Sequence, residues 1–121
     1  MKKTVLIVED EVIIAWDMKQ TLEQKGYTVA PVASSAQEAA EYTRRYQPDI
    51  ILMDIKLKGR KNGIEAFRDI SKTVSIPVIF ITGNIGLLKE EEFADIQGYE
   101  VLSKPPLEEK LIELIEKLSK A

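Results

Sequence analysis

The chain has 121 residues, of which 45% are hydrophobic and 31% charged, and its formal net charge is −3. This length predicts one domain over residues 1–121, with a core large enough to fold without metal or disulfide cross-links. The absence of cysteine and histidine excludes disulfides, thiolate zinc sites, histidine bases and a phosphohistidine. The mildly acidic balance offers no cationic surface for a polyphosphate, so we expect no direct binding to nucleic acid.

The amino-terminal segment does not have the composition of an export signal or a membrane anchor. The apolar run Val5–Val8 follows two lysines but is ended by the acidic run Glu9–Glu11. A signal sequence needs about 7 to 15 apolar residues, and a transmembrane helix needs about 20. We therefore expect a cytoplasmic protein with no membrane partner.

Apolar runs alternate with helical patterns along the whole chain. The predicted strand–helix pairs, in chain order, are Val5–Val8 with Val12–Lys25, Tyr27–Val32 with Ser35–Tyr46, Asp49–Met53 with Ile64–Lys72, Pro77–Ile81 with Leu87–Ile96, and Tyr99–Leu102 with Pro106–Leu118. A capping-box pattern starts the second helix at Ser35 and Glu38, and a proline starts the last one. Five such pairs predict an α/β fold of (βα)₅ type, a doubly wound five-stranded parallel sheet of flavodoxin-like order 2-1-3-4-5.

Polar side chains stand at the carboxyl ends of four predicted strands. Glu9 and Asp10 follow the first strand, Asp54 the third, Thr82 the fourth and Lys104 the fifth. Each of them alone is compatible with an ordinary capping or turn residue. In an open parallel sheet, however, ligands bind at the carboxyl ends of the strands, where the strand order reverses. The joint arrival of these residues at one edge therefore predicts a functional site.

The chemistry of this set predicts a cation and a phosphoryl group. Three carboxylates about 5 Å apart repel by roughly 3 kcal/mol per pair at an effective dielectric constant of 20. Oxygen ligands alone favour Mg²⁺, with Mn²⁺ as the alternative. Lys104 and the Thr82 hydroxyl can hold phosphoryl oxygens on the other side. We therefore predict a site that accepts a phosphoryl group on Asp54.

Four segments resemble the receiver domain of bacterial two-component response regulators, over Lys3 to Leu118. They are Val5–Glu11, Asp49–Ile55, Pro77–Gly83 and the Lys104-Pro105 pair. The resemblance implies that Asp54 accepts the phosphoryl group from a sensor histidine kinase or a phosphotransfer protein. It also implies a phosphorelay regulator rather than an enzyme, one that catalyses only its own phosphorylation and slow dephosphorylation. The sequence does not identify the downstream effector.

The same resemblance assigns the metal ligands. Asp10 and Asp54 would bind Mg²⁺ directly, together with the backbone carbonyl of Lys56 and, often through water, Glu9. Lys104 would pair with the phosphoryl group or with the free carboxylate.

The resemblance also implies a switch. Thr82 would move towards the phosphoryl oxygen and carry the signal to the surface formed by the fourth helix, the fifth strand and the fifth helix. Family members usually have an aromatic residue three positions before the lysine, where this chain has Val101. Tyr99 shares the strand parity of Val101, and it is either a partial substitute or an ordinary half-buried tyrosine.

Residues around the predicted site depart from the family in other ways. The segment Lys56–Gly63 carries four cations, lacks a proline common in the family and is one residue longer. Its charges are either solvated or steer an anionic partner or phosphodonor towards the site. Gly83 replaces a commoner alanine, which would widen access. Asn84 and Lys56 border the expected path of the hydrolytic water and so would set the phosphate lifetime.

Three other functions are possible for an α/β fold of this kind. A phosphohydrolase of the haloacid dehalogenase type needs a second acid two residues after the nucleophile, where this chain has Lys56. A nucleotide- or flavin-binding module needs a glycine-rich phosphate loop, where this chain has Glu9–Glu11. A receiver-like interaction module that works without phosphorylation stays open, because Val101 favours it while the intact acids and lysine oppose it.

Overall fold

A computed structural model describes residues 3–119, which form a parallel sheet covered by helices on both faces. The regular elements are β1 (Thr4–Val8), α1 (Val12–Gln24), β2 (Thr28–Val29), α2 (Ala36–Tyr46), β3 (Ile50–Asp54), α3 (Gly63–Ser71), β4 (Val78–Thr82), β5 (Tyr99–Ser103) and α4 (Glu108–Leu118). All strands are parallel, and their order is β2-β1-β3-β4-β5. The predicted fold class and strand order are confirmed.

The sheet is hydrophobic on both faces because each face packs against two helices. Alternate residues of each strand point to opposite faces, so β1 sends Leu6 towards α2 and α3 and sends Ile7 towards α1 and α4. Every residue of β3 and β4 is buried, including the polar residues Asp54 and Thr82 that end them. The two-sided core therefore fixes the strand ends that carry the predicted site.

The helix starts differ in part from the predicted ones. The Ser35 hydroxyl accepts the backbone N–H of Glu38 at 3.1 Å, as expected for the amino-terminal cap of α2. The Glu38 carboxylate, however, accepts from the N–H and hydroxyl of Ser34, so the second half of the predicted capping box is wrong. A complete capping box instead starts α3, where Asn62 and Glu65 exchange both hydrogen bonds.

The predicted helix over Leu87–Ile96 is wrong. Two short 3₁₀ turns, Ile85–Leu87 and Glu90–Phe93, replace it, and the intervening backbone at Leu88 and Lys89 is extended. The local sequence favours a helix, but most helical stability comes from tertiary packing of an apolar face. Here Leu87 is exposed, while the ring of Phe93 stacks on Tyr99 with centroids 4.7 Å apart. Phe93 and Ile96 are buried in the core and Leu88 packs against it, an arrangement that the 3₁₀ turns and the extended residues between them permit.

Helix α1 leaves three large apolar side chains in solvent, Val12, Ile13 and Trp16. Ile13 and Trp16 border a groove of about 370 Å³ that Lys104 and Pro105 also line. None of the helices within residues 3–119 combines the length and the apolar composition that a membrane crossing requires.

Candidate functional site

The predicted site residues meet at the carboxyl edge of the sheet. Glu9 and Asp54 stand at the ends of β1 and β3, Thr82 ends β4, and Lys104 follows β5. These four strands are consecutive neighbours in the sheet, so side chains up to 95 positions apart in sequence come from adjoining strands. Glu9, Asp54 and Thr82 are buried, and the Lys104 side chain is 16% exposed. The site is thus a partly closed polar pocket at the rim of an apolar sheet.

Lys104 neutralises the carboxylates from above β5. Its Nζ lies 2.9 Å from Oε1 of Glu9, 3.2 Å from Oδ2 of Asp54 and 3.6 Å from Oε1 of Glu11. The backbone N–H of Lys104 also donates to the carbonyl of Thr82 at 2.8 Å, which anchors the residue to β4. Burial alone would lower the pKa of Lys104, but the hydrogen bonds and charges of Glu9 and Asp54 raise it above its ordinary value. The ammonium therefore stays charged at neutral pH.

Glu9 is the acid most affected by its surroundings. The pKa of Glu9 is raised to about 7, because burial and the neighbouring Asp54 together outweigh the lowering effects of Lys104 and of the N–H of Glu11. Oε1 of Glu9 is fully buried and makes no hydrogen bond of normal geometry, although the Lys104 ammonium is close. Its partner in the pocket is thus the charge of Lys104.

Three acids present oxygens to a common point. One carboxylate oxygen from each of Glu9, Asp10 and Asp54 lies within 4.8 Å of the other two, and no second acidic group of this kind occurs within residues 3–119. Backbone amides orient two of these acids, since Lys58 N donates to Oδ2 of Asp10 at 3.0 Å and Lys56 N donates to Oδ1 of Asp54 at 3.2 Å. Such an oxygen-only set fits a hard cation such as Mg²⁺ or Mn²⁺. Lys56 lies beside the acids, as predicted, and the role of its carbonyl stays a prediction.

Thr82 lies at the far side of the pocket. Its Oγ1 accepts the backbone N–H of Asn84 at 3.2 Å, which leaves the hydroxyl proton free to donate elsewhere. Gly83 is exposed, and a Cβ added there would meet nothing within 4 Å. The approach to Thr82 is therefore open on this side.

Tyr99 and Val101 occupy the same face of β5, as the strand parity predicts. Both are half-buried and pack against the part of the core between the sheet and helices α2 and α3. Val101 lies beside Phe80 in the strand register. Thr82 pairs with Ser103, four residues beyond Tyr99, which corresponds to about 13 Å along the strand. The Tyr99 ring stacks on Phe93 rather than approaching Thr82. The Tyr99 ring therefore makes no contact with the Thr82 hydroxyl that would support its predicted role as a substitute switch residue.

Gly63 belongs to the site but was not among the predicted residues. A Cβ at this position would lie 2.1 Å from the carbonyl oxygen of Asp54 and 2.8 Å from Cγ of Met53. The amide of Gly63 also donates to the carbonyl of Ile55 at 2.7 Å. The first turn of α3 thus rests directly on the backbone that carries Asp54. The available signal was the Asn62-Gly63 pair three residues before Glu65, which marks a capped helix start.

Comparisons with known proteins agree on one family. The model of the response regulator receiver domain matches residues 5–116. The chain is 40% identical over 83 residues to the phyllosphere-induced regulator PhyR of Methylorubrum extorquens, an alignment that covers 68% of this chain and 31% of that protein. It is 35% identical over 80 residues to the transcriptional regulatory protein PdtaR of Mycobacterium tuberculosis, covering 66% of this chain and 38% of the relative.

Two further similarities extend over nearly the whole chain. The chemotaxis protein CheY of Thermotoga maritima is 32% identical over 123 residues, covering 99% of this chain and 100% of that protein. The crystal structure of the amino-terminal domain of a response regulator/sensory box/GGDEF protein from Carboxydothermus hydrogenoformans superposes with a TM-score of 0.86. That superposition covers 97% of this chain and 94% of the other, at 30% identity. By contrast, the chain spans less than two fifths of the length of PhyR or PdtaR.

Proposed function

The chain belongs to the response regulator receiver domain family, and we propose on that basis that Asp54 accepts a phosphoryl group in a two-component phosphorelay. The observation that carries the proposal is the position of Lys104. Its Nζ lies 3.2 Å from Oδ2 of Asp54, next to an acidic group that suits a divalent cation. A pocket with an acceptor carboxylate, a fixed ammonium and oxygen ligands meets the electrostatic needs of phosphoryl transfer.

In the proposed reaction, a carboxylate oxygen of Asp54 attacks the phosphorus of a phosphohistidine on a sensor kinase or phosphotransfer protein. A P–O bond forms as the P–N bond breaks, and the imidazole leaves with the electron pair and takes up a proton from solvent. Lys104 stabilises the negative charge that gathers on the transferring group, because its ammonium is already held beside Asp54. The chain would thus catalyse only its own phosphorylation and slow dephosphorylation, without turning over an external substrate.

Mg²⁺ is the cation that the acidic group fits best, with Mn²⁺ as the alternative. We propose that Asp10 and Asp54 bind it, with the carbonyl of Lys56 and with Glu9 directly or through water. Bound there, the cation would supply charge neutralisation between the acceptor carboxylate and the phosphoryl oxygens. The closeness of the three carboxylates supports this assignment, because a divalent cation would relieve their mutual repulsion.

The proposed switch starts at Thr82. A phosphoryl group on Asp54 adds about 1.5 to 2 negative charges and three strong acceptor oxygens. It would attract the free hydroxyl proton of Thr82, whose oxygen also accepts the N–H of Asn84 at the start of the first 3₁₀ turn, so a movement of Thr82 would be passed to that turn. The affected surface would consist of the two 3₁₀ turns, β5 and α4, rather than of a regular fourth helix. We propose a protein effector for this surface and a cytoplasmic location for the chain.

An intact-mass experiment tests the proposal. The chain is incubated with Mg²⁺ and phosphoramidate, and its mass is measured. We expect the wild type to gain about 80 Da, the mass of one phosphoryl group, and Asp54→Asn to gain nothing. Asp17→Asn, which removes an exposed aspartate on α1, should behave as the wild type. A wild type that binds Mg²⁺ but never gains mass would favour the phosphorylation-independent interaction module. The observation that supports this alternative is Val101, which occupies the position where the family usually has an aromatic residue.

A further inference from the structure

The loop between β3 and α3 is a positive patch on an acidic protein. Lys56, Lys58, Arg60 and Lys61 fall within six residues, and no acid occurs between Ile55 and Asn62, although the chain as a whole carries a net charge of −3. All four cationic side chains are exposed. The charge balance of this loop is therefore opposite to that of the chain.

The loop is held at the rim of the acceptor site. The amide of Lys56 donates to Asp54, the amide of Lys58 donates to Asp10, and the side chain of Leu57 is buried in the core. Two backbone hydrogen bonds and one buried anchor thus fix where the loop leaves the site. Its cationic side chains start from a defined position next to the acceptor carboxylate.

Three of these cations form no ion pair within the fold. Lys61 pairs with Asp69, whereas Lys56, Lys58 and Arg60 form no ion pair with any residue between 3 and 119. Lys58 and Arg60 line a concave surface of about 400 Å³ between the loop and the start of α2, to which Asp69 contributes the one acid. That acid is already paired with Lys61 and Lys72, so the concave surface keeps a positive field.

We propose that Lys58 and Arg60 form an electrostatic docking element that attracts anionic phosphodonors to Asp54 and favours donors of higher negative charge. This inference rests on the proposed function, because it concerns the rate at which the same carboxylate meets its donor. Fixed charges of one sign beside a reacting group raise the local concentration of counter-charged reactants and increase the association rate. The effect falls with ionic strength, since charges on an exposed loop are screened over about 8 Å at physiological salt.

The test compares two small phosphodonors at neutral pH. Acetyl phosphate carries about two negative charges and phosphoramidate about one, so steering should favour the former. In both reactions a P–O bond forms to Asp54, while acetate or ammonia leaves with the electrons of the broken bond. The second-order rate constant of phosphorylation is measured by intact mass at low and high salt. The variants are K58Q/R60Q, the charge-preserving K58R/R60K, and K110Q/K117Q, which removes two exposed cations of α4.

We expect K58Q/R60Q to lower the rate constant for acetyl phosphate about three- to tenfold at low salt and the rate constant for phosphoramidate less. The K58R/R60K and K110Q/K117Q proteins should match the wild type, and about 0.5 M salt should remove the difference. Equal rates for K58Q/R60Q and wild type, or an equal loss with both donors at every salt concentration, would overturn the docking element. An unphosphorylated wild type would instead overturn the proposed function itself.

Discussion

Replacing Lys104 by methionine removes the only cation within 4 Å of Glu9 and Asp54 among residues 3–119. At the observed separations of 2.9 and 3.2 Å, each attraction is worth about 5 kcal/mol at an effective dielectric constant of 20. The cost of burying the ammonium offsets a large part of this gain, so the pair itself contributes little net stability. The variant nevertheless leaves two buried carboxylates without a counter-charge, which typically costs about 3 to 5 kcal/mol.

The protonation of Glu9 determines how the stability loss of Lys104→Met depends on pH. Burial and Asp54 already raise the pKa of Glu9 to about 7 in the presence of Lys104, and the variant should raise it further. At pH 5 Glu9 is therefore protonated in both proteins, so the variant no longer leaves a Glu9 charge without a partner. We expect Lys104→Met to lower the free energy of unfolding by about 3 kcal/mol at pH 8 and by about 1 kcal/mol at pH 5. At pH 8 the melting temperature should fall by about 10 °C or more.

Urea and thermal unfolding in EDTA, at both pH values, measure these differences. Lys110→Met removes an exposed lysine 3.7 Å from Glu113 and should change stability by less than about 0.5 kcal/mol. Saturating Mg²⁺ should stabilise Lys104→Met more than it stabilises the wild type, because Lys104 and the cation neutralise the same carboxylates. An equal loss at pH 5 and pH 8, or a loss no larger than that of Lys110→Met, would refute the reasoning.

Three further predictions concern the same pocket. The raised pKa of Glu9 stabilises the metal-free protein below about pH 4.5, and this contribution is lost as the pH rises through about 7. Glu9→Gln should remove this slope, so in EDTA at pH 8 it should unfold at a higher urea concentration than the wild type. Gly63→Ala should lower the free energy of unfolding by about 2 kcal/mol or more and slow phosphorylation, because the added Cβ would lie 2.1 Å from the carbonyl oxygen of Asp54. Gly83→Ala is the control: its Cβ would enter open space, so urea unfolding should not change. Asp10→Asn keeps an acceptor for the amide of Lys58 but removes a charge, so calorimetry should find that the Mg²⁺ affinity is at least about tenfold weaker. In EDTA the variant should be as stable as the wild type or more stable.

The convergence of the site was predictable because it follows from topology. Once Glu9, Asp54 and Lys104 are assigned to the ends of buried parallel strands, the strand order alone brings them to one edge. Hydrophobic runs of four or five residues bounded by charge define such strands without reference to other parts of the chain. The same reasoning could not give the contact distances, which depend on side-chain packing.

Two features depended on contacts that the sequence pattern does not contain. The segment Leu87–Ile96 has the composition of a helix, but it forms 3₁₀ turns in which Phe93 and Ile96 are buried while Leu87 stays exposed. The pattern does not mark Gly63 as a site residue, because glycine in a loop usually indicates a turn, whereas here the close approach of α3 to the backbone of Asp54 requires it. Both outcomes were decided by tertiary neighbours rather than by local propensity.

The exposed apolar patch on α1 has a practical consequence. Trp16 is the single tryptophan of the chain, is 61% exposed and borders the groove that Lys104 also lines. Its fluorescence therefore arises from one known position and responds to the solvent on one side of the acceptor pocket. Titrations with cations, phosphodonors or whole partner proteins can accordingly be followed by the intrinsic emission of the unlabelled chain, at micromolar concentrations and in real time.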